Sequence, residues 1–200
     1  MVKLEVDYLE FYSEIDKLID LLSHISSLQP RFAKLVAEIL LLRLFDTLKE
    51  TIMSVTTKIG CGALYVDGSQ PKLAVQSKSR QGTLDNMMKY RRKKPRYLQW
   101  SQVKEIRENV RHIIYPNEHF LNELDRHILF IEEMRWIRNR IAHNNTTVRV
   151  NYRKAVLRYY GGYVNSVTPG TLLLSPRQNP VLIEQYLKKA RILVKTLVKG

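Results

Sequence analysis

Between Pro30 and Gly60, apolar residues recur at steps of three and four: Phe32, Leu35, Val36, Ile39, Leu42, Phe45, Leu48, Ile52, Val55 and Ile59. That is the repeat of a helix, not of a strand. Pro30 suits a first helical turn, and Gly60 suits a stop. A helix of roughly thirty residues is about 45 Å long, so the rest of the chain must be arranged along this rod. The preceding segment repeats the pattern at Leu4, Tyr8, Phe11, Ile15, Leu18, Ile19, Leu22 and Ile25, which predicts an amphipathic helix over about Leu4 to Ser27.

Downstream, Ser101 is a candidate cap for a helix burying Val103, Ile106, Val110 and Ile113, ended by the turn Tyr115-Pro116-Asn117. Another helix begins near Asn117 and carries Phe120, Leu121, Leu124, Ile128 and Ile131 towards Glu132 to Asn145. A shorter one is expected from Val148 to Tyr160. Asn179 and Pro180 open the last, which buries Leu182, Ile183, Tyr186, Leu187, Ala190, Leu193, Val194 and Leu197. Two stretches break the helical period. Ala63–Val66 and Leu73–Val75 suggest a hairpin around Asp67-Gly68, and a basic, polar stretch follows. Tyr163–Val167 and Thr171–Leu174 suggest a second hairpin around Thr168-Pro169-Gly170. The expected fold is mainly α, an up-and-down helical bundle with two short β-hairpin excursions. It forms a single domain over residues 1–200 with a basic insertion at about 60–97.

Composition narrows the function classes. With 200 residues, 44% hydrophobic and 26% charged, the chain suits one globular core and not a disordered tail. Apolar runs such as Ile39–Leu42 are closed off by Glu38 and Arg43, far short of a bilayer span. Glu5, Asp7 and Glu10 stand where a signal peptide needs a cationic end, and Cys61 is the single cysteine. A cytoplasmic protein without disulfides or membrane contact is expected.

The net charge of +14 draws polyanions, and it is segregated. Lys78 to Arg96 carries eight basic residues against Asp85, and Arg149 to Lys199 ten against Glu184. An evenly basic protein is excluded. Arg91, Arg92, Lys93 and Lys94 are candidate RNA contacts tracking phosphates; the plainer alternative is a solvated loop or a groove for an acidic partner. Tyr90, Tyr97, Trp100, Tyr159, Tyr160 and Tyr163 have the chemistry to stack on unpaired bases, although aromatics beside basic residues are also routine packing.

The segment with reaction chemistry is Glu132 to Asn145, EEMRWIRNRIAHNN, where Arg138-Asn139 is followed by a small residue and His143. RNA supplies its own nucleophile, the 2′-hydroxyl, so a protein needs only to move protons and stabilise a pentacoordinate phosphorus. Histidine titrates near neutrality and arginine grips phosphoryl oxygens with a planar fork. Residues five apart on an ideal helix are turned by about 140°, so Arg138 and His143 do not share a face. Asn139 and His143 do, which makes Asn139 the natural orienter of the imidazole. Arg135 lies on that same face and is a candidate grip for a flanking phosphate, as is Arg140, while Glu132 or Glu133 is placed to hold an arginine. The alternative is an ordinary helix end: Arg138 paired with a carboxylate, His143 beside the carboxyl terminus, Asn144 terminating.

This string resembles the RX4-6H motif of the HEPN superfamily, in the form where a polar residue follows the arginine. The resemblance is tight over about a dozen residues; elsewhere it consists of the long second helix, the bundle and the final amphipathic helix. It implies a metal-independent endoribonuclease with Arg138, Asn139 and His143 as catalytic residues, and no metal or cofactor. It also implies a homodimer in which two motifs converge, and a toxin or effector role in a toxin–antitoxin or phage-defence system, with an antitoxin or regulatory protein as further partner. The rival is a basic helical module that binds RNA or an acidic partner without cutting. His119, Glu123 and His127, at successive steps of four, suggest either a partial metal site or, more commonly, a solvated polar stripe.

Overall fold

The computed structural model describes residues 3–90, 97–162, 164 and 166–200, and among them it is mainly helical. In chain order the helices are α1 (Glu5–Ser23), α2 (Pro30–Gly60), α3 (Arg80–Tyr90), α4 (Val103–Val110), α5 (His119–Arg126), α6 (Ile128–Ala142), α7 (Thr146–Tyr160), α8 (Pro169–Leu173) and α9 (Leu182–Lys199); a 3-10 turn, Ile25–Ser27, follows α1. The chain divides into two compact units. The first comprises Met1–Tyr12, Leu48–Ile131 and Arg191–Gly200, and the second Ser13–Thr47 and Glu132–Ala190. Among the described residues no helix is long and apolar enough to cross a membrane.

In the first unit, polar contacts fasten the later half of α2. The buried Asp7 carboxylate accepts from Lys58 Nζ at 2.7 Å and from Ser54 Oγ at 2.6 Å, so the ammonium and carboxylate meet largely out of water. Arg80, opening α3, donates to Thr57 Oγ1 and Ser54 Oγ. A Cβ at Gly60 would collide with the Thr83 side chain. Glycine therefore serves close packing of α2 on α3 as well as the helix stop. Tyr65 donates to the buried Glu118 at 2.5 Å, and the Lys72 amide donates to the other carboxylate oxygen at 2.7 Å, which ties the connection between α2 and α3 to the start of α5.

Neither expected hairpin forms among the described residues. The Val66 and Asp67 amides donate to the carbonyls of Val198 and Lys199, while those of Ala74 and Val75 donate to Ile113. Both would-be strands thus satisfy their backbones elsewhere, and Leu73 keeps only an isolated antiparallel bridge with Ile114. The second stretch becomes α8, because Thr168 accepts the Thr171 amide as an N-cap and Pro169 takes the first turn. Tyr163, part of that expected hairpin, lies outside the described residues.

Several helix ends also move. Gln102, not Ser101, occupies the cap position of α4, with no side-chain cap bond. The helix expected from Asn117 onwards starts at His119 and is interrupted at His127, whose ring nitrogen Nδ1 lies 3.0 Å from the Glu123 carbonyl. Asn145 caps a longer α7, accepting the Val148 amide at 3.0 Å, and α9 begins at Leu182, past Asn179 and Pro180. On α2, Phe32, Leu35 and Ile39 are exposed, and Ala33, Ala37, Leu40, Leu41 and Leu44 are buried instead. That stretch is apolar on more than one face, so spacing alone does not choose which side is covered.

The second unit is built around a buried carboxylate. Glu133, on α6, is 2% exposed. It accepts from the hydroxyls of Tyr159 on α7 and Tyr186 on α9, and from Arg158 at 3.2 Å. Burial, reinforced by this carboxylate, pushes the hydroxyls of Tyr159 and Tyr186 above the ordinary tyrosine range. Gly161, at φ 67°, lets the chain leave α7 in the left-handed conformation, with its amide on the Leu157 carbonyl.

These raised values set an alkaline limit. Below about pH 10 the tyrosines are protonated in both folded and unfolded chains. Above it the unfolded chain releases protons that the folded chain retains, so stability is lost as pH rises. The expected result is a melting temperature that falls steeply above about pH 10, with tyrosinate absorbance from this pair appearing together with unfolding. A melting temperature flat through that range would contradict the assignment.

Candidate active site

The residues singled out in the sequence fall at the C-terminal end of α6 and the corner that follows. Isoleucine, methionine and isoleucine at Ile131, Met134 and Ile137 bury the apolar side of this helix, which leaves Arg135, Arg138 and Asn139 only part-covered. The helix runs out at Ala142. His143 stands just past the end, its amide still bonded to the Asn139 carbonyl at 2.8 Å, and two residues later Asn145 caps α7. Asn144, Asn145 and Thr146 favour capping over helix continuation, so the chain turns where the histidine is exposed.

Arg138 differs from its arginine neighbours. Its Nε is buried without a hydrogen-bond partner, and its one hydrogen bond among the described residues is a 3.4 Å contact from Nη1 to Asn139 Oδ1. No carboxylate pairs with it there. The buried Nε carries the cost of a polar atom removed from water without an acceptor, while the rest of the part-covered side chain keeps a guanidinium face for which an anion is the fitting acceptor. Asn139 therefore faces Arg138, while the His143 ring has no hydrogen-bond partner among the described residues. The expected orienting bond from Asn139 to the imidazole is absent among them.

The remaining candidates take different places. Arg135 donates through Nη2 and Nε to one oxygen, Oε2, of Glu132 one turn earlier on the same helix, at 2.6 and 3.1 Å, so its charge is already compensated. Arg140 reaches over the corner, donating to Asn144 Oδ1 at 2.8 Å and to the His143 carbonyl at 3.5 Å. Arg91, Arg92, Lys93 and Lys94 lie outside the described residues. Of the possible stacking residues, Tyr97 is 66% exposed and Trp100 is buried; Tyr159 is engaged by Glu133, and Tyr160 has Arg177 stacked over its ring.

The sequence reading missed three residues beside this corner. Arg149 donates through Nε to the same Asn144 Oδ1, at 3.0 Å. Arg149, Arg153 and Tyr152 line a cleft of 360 Å³ together with Arg140 and the segment that leads into α8. The available signal was the Arg149/Arg153 spacing of four, which places both on one helical face. Both fall inside the helix expected from Val148 to Tyr160, but the face they share was not set against the Arg140 end of α6, because the turn between the two helices was not legible.

The polar stripe on α5 does not converge. His119 Nε2 lies 2.8 Å from the Thr196 carbonyl, Glu123 pairs with Arg126, and His127 sits at the helix break. No group of three or more His, Cys, Asp or Glu among the described residues is placed to hold a metal ion. Cys61 Sγ lies 3.5 Å from Thr83 Oγ1. In comparisons with known proteins, no family model, no curated protein and no solved structure matches this chain.

Proposed function

We propose that the chain is a metal-independent endoribonuclease of the HEPN type, a single-domain, up-and-down helical bundle acting in the cytoplasm. The observation that carries the reading is the motif arginine, Arg138, with a buried guanidinium nitrogen lacking a partner among the described residues, five residues before an exposed His143 at a helix end. One side chain awaits an anion and the other is accessible for proton transfer.

In the proposed step, a base removes the proton of the RNA 2′-hydroxyl and O2′ bonds to the adjacent phosphorus. The bond from phosphorus to O5′ breaks, and O5′ receives a proton from an acid. His143 fills one of these proton-transfer roles, and in a homodimer a second His143 fills the other. Arg138 neutralises the charge that develops on the phosphoryl oxygens, and Asn139 holds the arginine. Arg135 and Arg140, with Arg91, Arg92, Lys93 and Lys94, contribute to RNA binding. A toxin or defence effector is the biological setting this chemistry suits, with an antitoxin or regulator as partner.

The test is incubation of the purified protein with single-stranded and structured RNA in EDTA. Fragments ending in a 2′,3′-cyclic phosphate or 3′-phosphate, with 5′-hydroxyl partners, are expected, and DNA of the same sequence stays intact. Activity lost on chelation and restored by magnesium would refute the mechanism. RNA bound but never cut would make the protein a binding module.

A further inference from the structure

Asn144 presents one neutral amide oxygen to two guanidinium groups, Arg140 from the end of α6 and Arg149 from the first turn of α7. Arg153 follows one turn later on α7, and all three arginines line the same cleft. The lining also has an apolar wall, Val156 on α7 with Val164, Val167 and Pro169 from the segment leading into α8, and no carboxylate occurs among its described lining residues. Burial pushes the Tyr152 hydroxyl above the ordinary tyrosine range, and the Glu38 carboxylate accepts the Gly170 amide at 2.8 Å. Arg140 and Arg149 therefore converge where the acceptors named for them are an amide oxygen and a backbone carbonyl, and Arg153 adds a third cationic side chain to the lining.

Like charges at i and i+4 on a helix repel, and a neutral acceptor shared between two arginines aligns them without cancelling their charge. Such an arrangement stores a deficit that a dianionic or monoanionic phosphate fills, through the paired donors that guanidinium offers. The volume falls within the range of about 300–1,000 Å³ typical of ligand sites, which leaves room for more than a bare ion. The apolar wall offers a surface for the sugar or base attached to it.

We propose that this cleft is a phosphate-binding subsite, distinct from the Arg138 and His143 pair, that takes one phosphate group of a single-stranded RNA together with its neighbouring nucleoside. The identification of the ligand as RNA rests on the ribonuclease reading; the phosphate chemistry rests on the cleft. The phosphate is either an internal diester or a terminal monoester.

The experiment measures fluorescence anisotropy of a fully 2′-O-methylated oligonucleotide, which cannot be cleaved, with and without a 5′-phosphate. Wild-type protein is compared with the double variant Arg149→Gln/Arg153→Gln, whose positions are exposed and whose fold is checked by thermal melting. We expect the double variant to bind roughly ten-fold more weakly, with a salt slope shallower by about 0.7 for the one phosphate released, and Arg149→Lys/Arg153→Lys to recover part of the loss. If the 5′-phosphate tightens wild-type binding and the advantage vanishes in the double variant, the ligand is the chain end; equal losses for both oligonucleotides identify the internal diester. Binding by the double variant equal to wild type overturns the proposal. So does displacement by polyglutamate as effective as by RNA at matched charge, which would make the cleft a site for an acidic protein. A protein that binds through these arginines yet yields no fragments from ordinary RNA sinks the nuclease reading alone.

Discussion

Replacing His143 by alanine lowers the rate of RNA cleavage by roughly 10²- to 10⁴-fold and leaves the thermal midpoint where it was. The ring is exposed and beyond the last helical residue, with no hydrogen-bond partner among the described residues, so its removal deletes proton transfer and little packing. Arg138→Ala causes a comparable loss of rate, through loss of charge stabilisation at the phosphoryl oxygens. Its effect on stability separates the two positions. Arg138 Nε is buried without an acceptor, so Arg138→Met, which keeps the aliphatic stem and discards the guanidinium, should melt at the same temperature or higher. Inactivity together with unchanged or raised stability is the signature of a residue kept for chemistry. Single-turnover cleavage and thermal melting on the same preparations measure both quantities. Wild-type rates in the two motif variants would leave the protein as an RNA-binding module.

The second large effect is on the fold. Glu133→Ala should cost about 2–5 kcal/mol, since it takes the shared carboxylate away from the Tyr159 and Tyr186 hydroxyls and opens a void among α6, α7 and α9. Arg158 is about half exposed, so it turns to solvent and adds little to the loss. Glu133→Gln keeps the shape and one acceptor oxygen and should cost less, and Tyr186→Phe should cost about 1 kcal/mol. Urea unfolding measures all three. An unchanged midpoint for Glu133→Ala would mean that the carboxylate contributes nothing net to stability.

Much of the helical order was legible because one face of each long helix is consistently apolar. In α9 every residue expected to be buried is buried, from Leu182 to Leu197. α2 was legible in extent, from Pro30 to Gly60, but the side it buries was not, because Phe32, Leu35 and Ile39 compete with Leu40, Leu41 and Leu44 for the core. α3 gave no signal: Arg80 to Tyr90 includes Gly82 and few apolar residues, and its place depends on contacts of Arg80 with Thr57 and Ser54 and of Thr83 with Gly60. The two hairpins were misread for different reasons. Val66 and Asp67 meet partners more than a hundred residues away in sequence, which no local pattern reveals. Thr168-Pro169 is at once a turn signal and a helix-start signal, and the second reading prevailed.

The site was legible as a string and not as an arrangement. Arg138, Asn139 and His143 were identified by order and spacing, and ideal helical geometry assigned Asn139 to the histidine. In the structure Asn139 contacts Arg138, a neighbour in sequence. The cluster of Arg140, Asn144, Arg149 and Arg153 depends on how sharply the chain turns between two helices, and that turn is set by a cap at Asn145 which lacks the usual acidic residue three positions on.

α6 is packed as far as Ile137, which is fully buried, and Glu133 pins the same stretch through α7 and α9. His143 stands beyond both, past the last helical residue, at the corner that leads into α7. Exposed chain at a helix end opens more readily than a packed core. A phosphate bridging Arg140 and Arg149 would tie the last turn of α6 to the first turn of α7 across that corner. Substrate engagement would then steady the histidine without any rearrangement of the apolar interior.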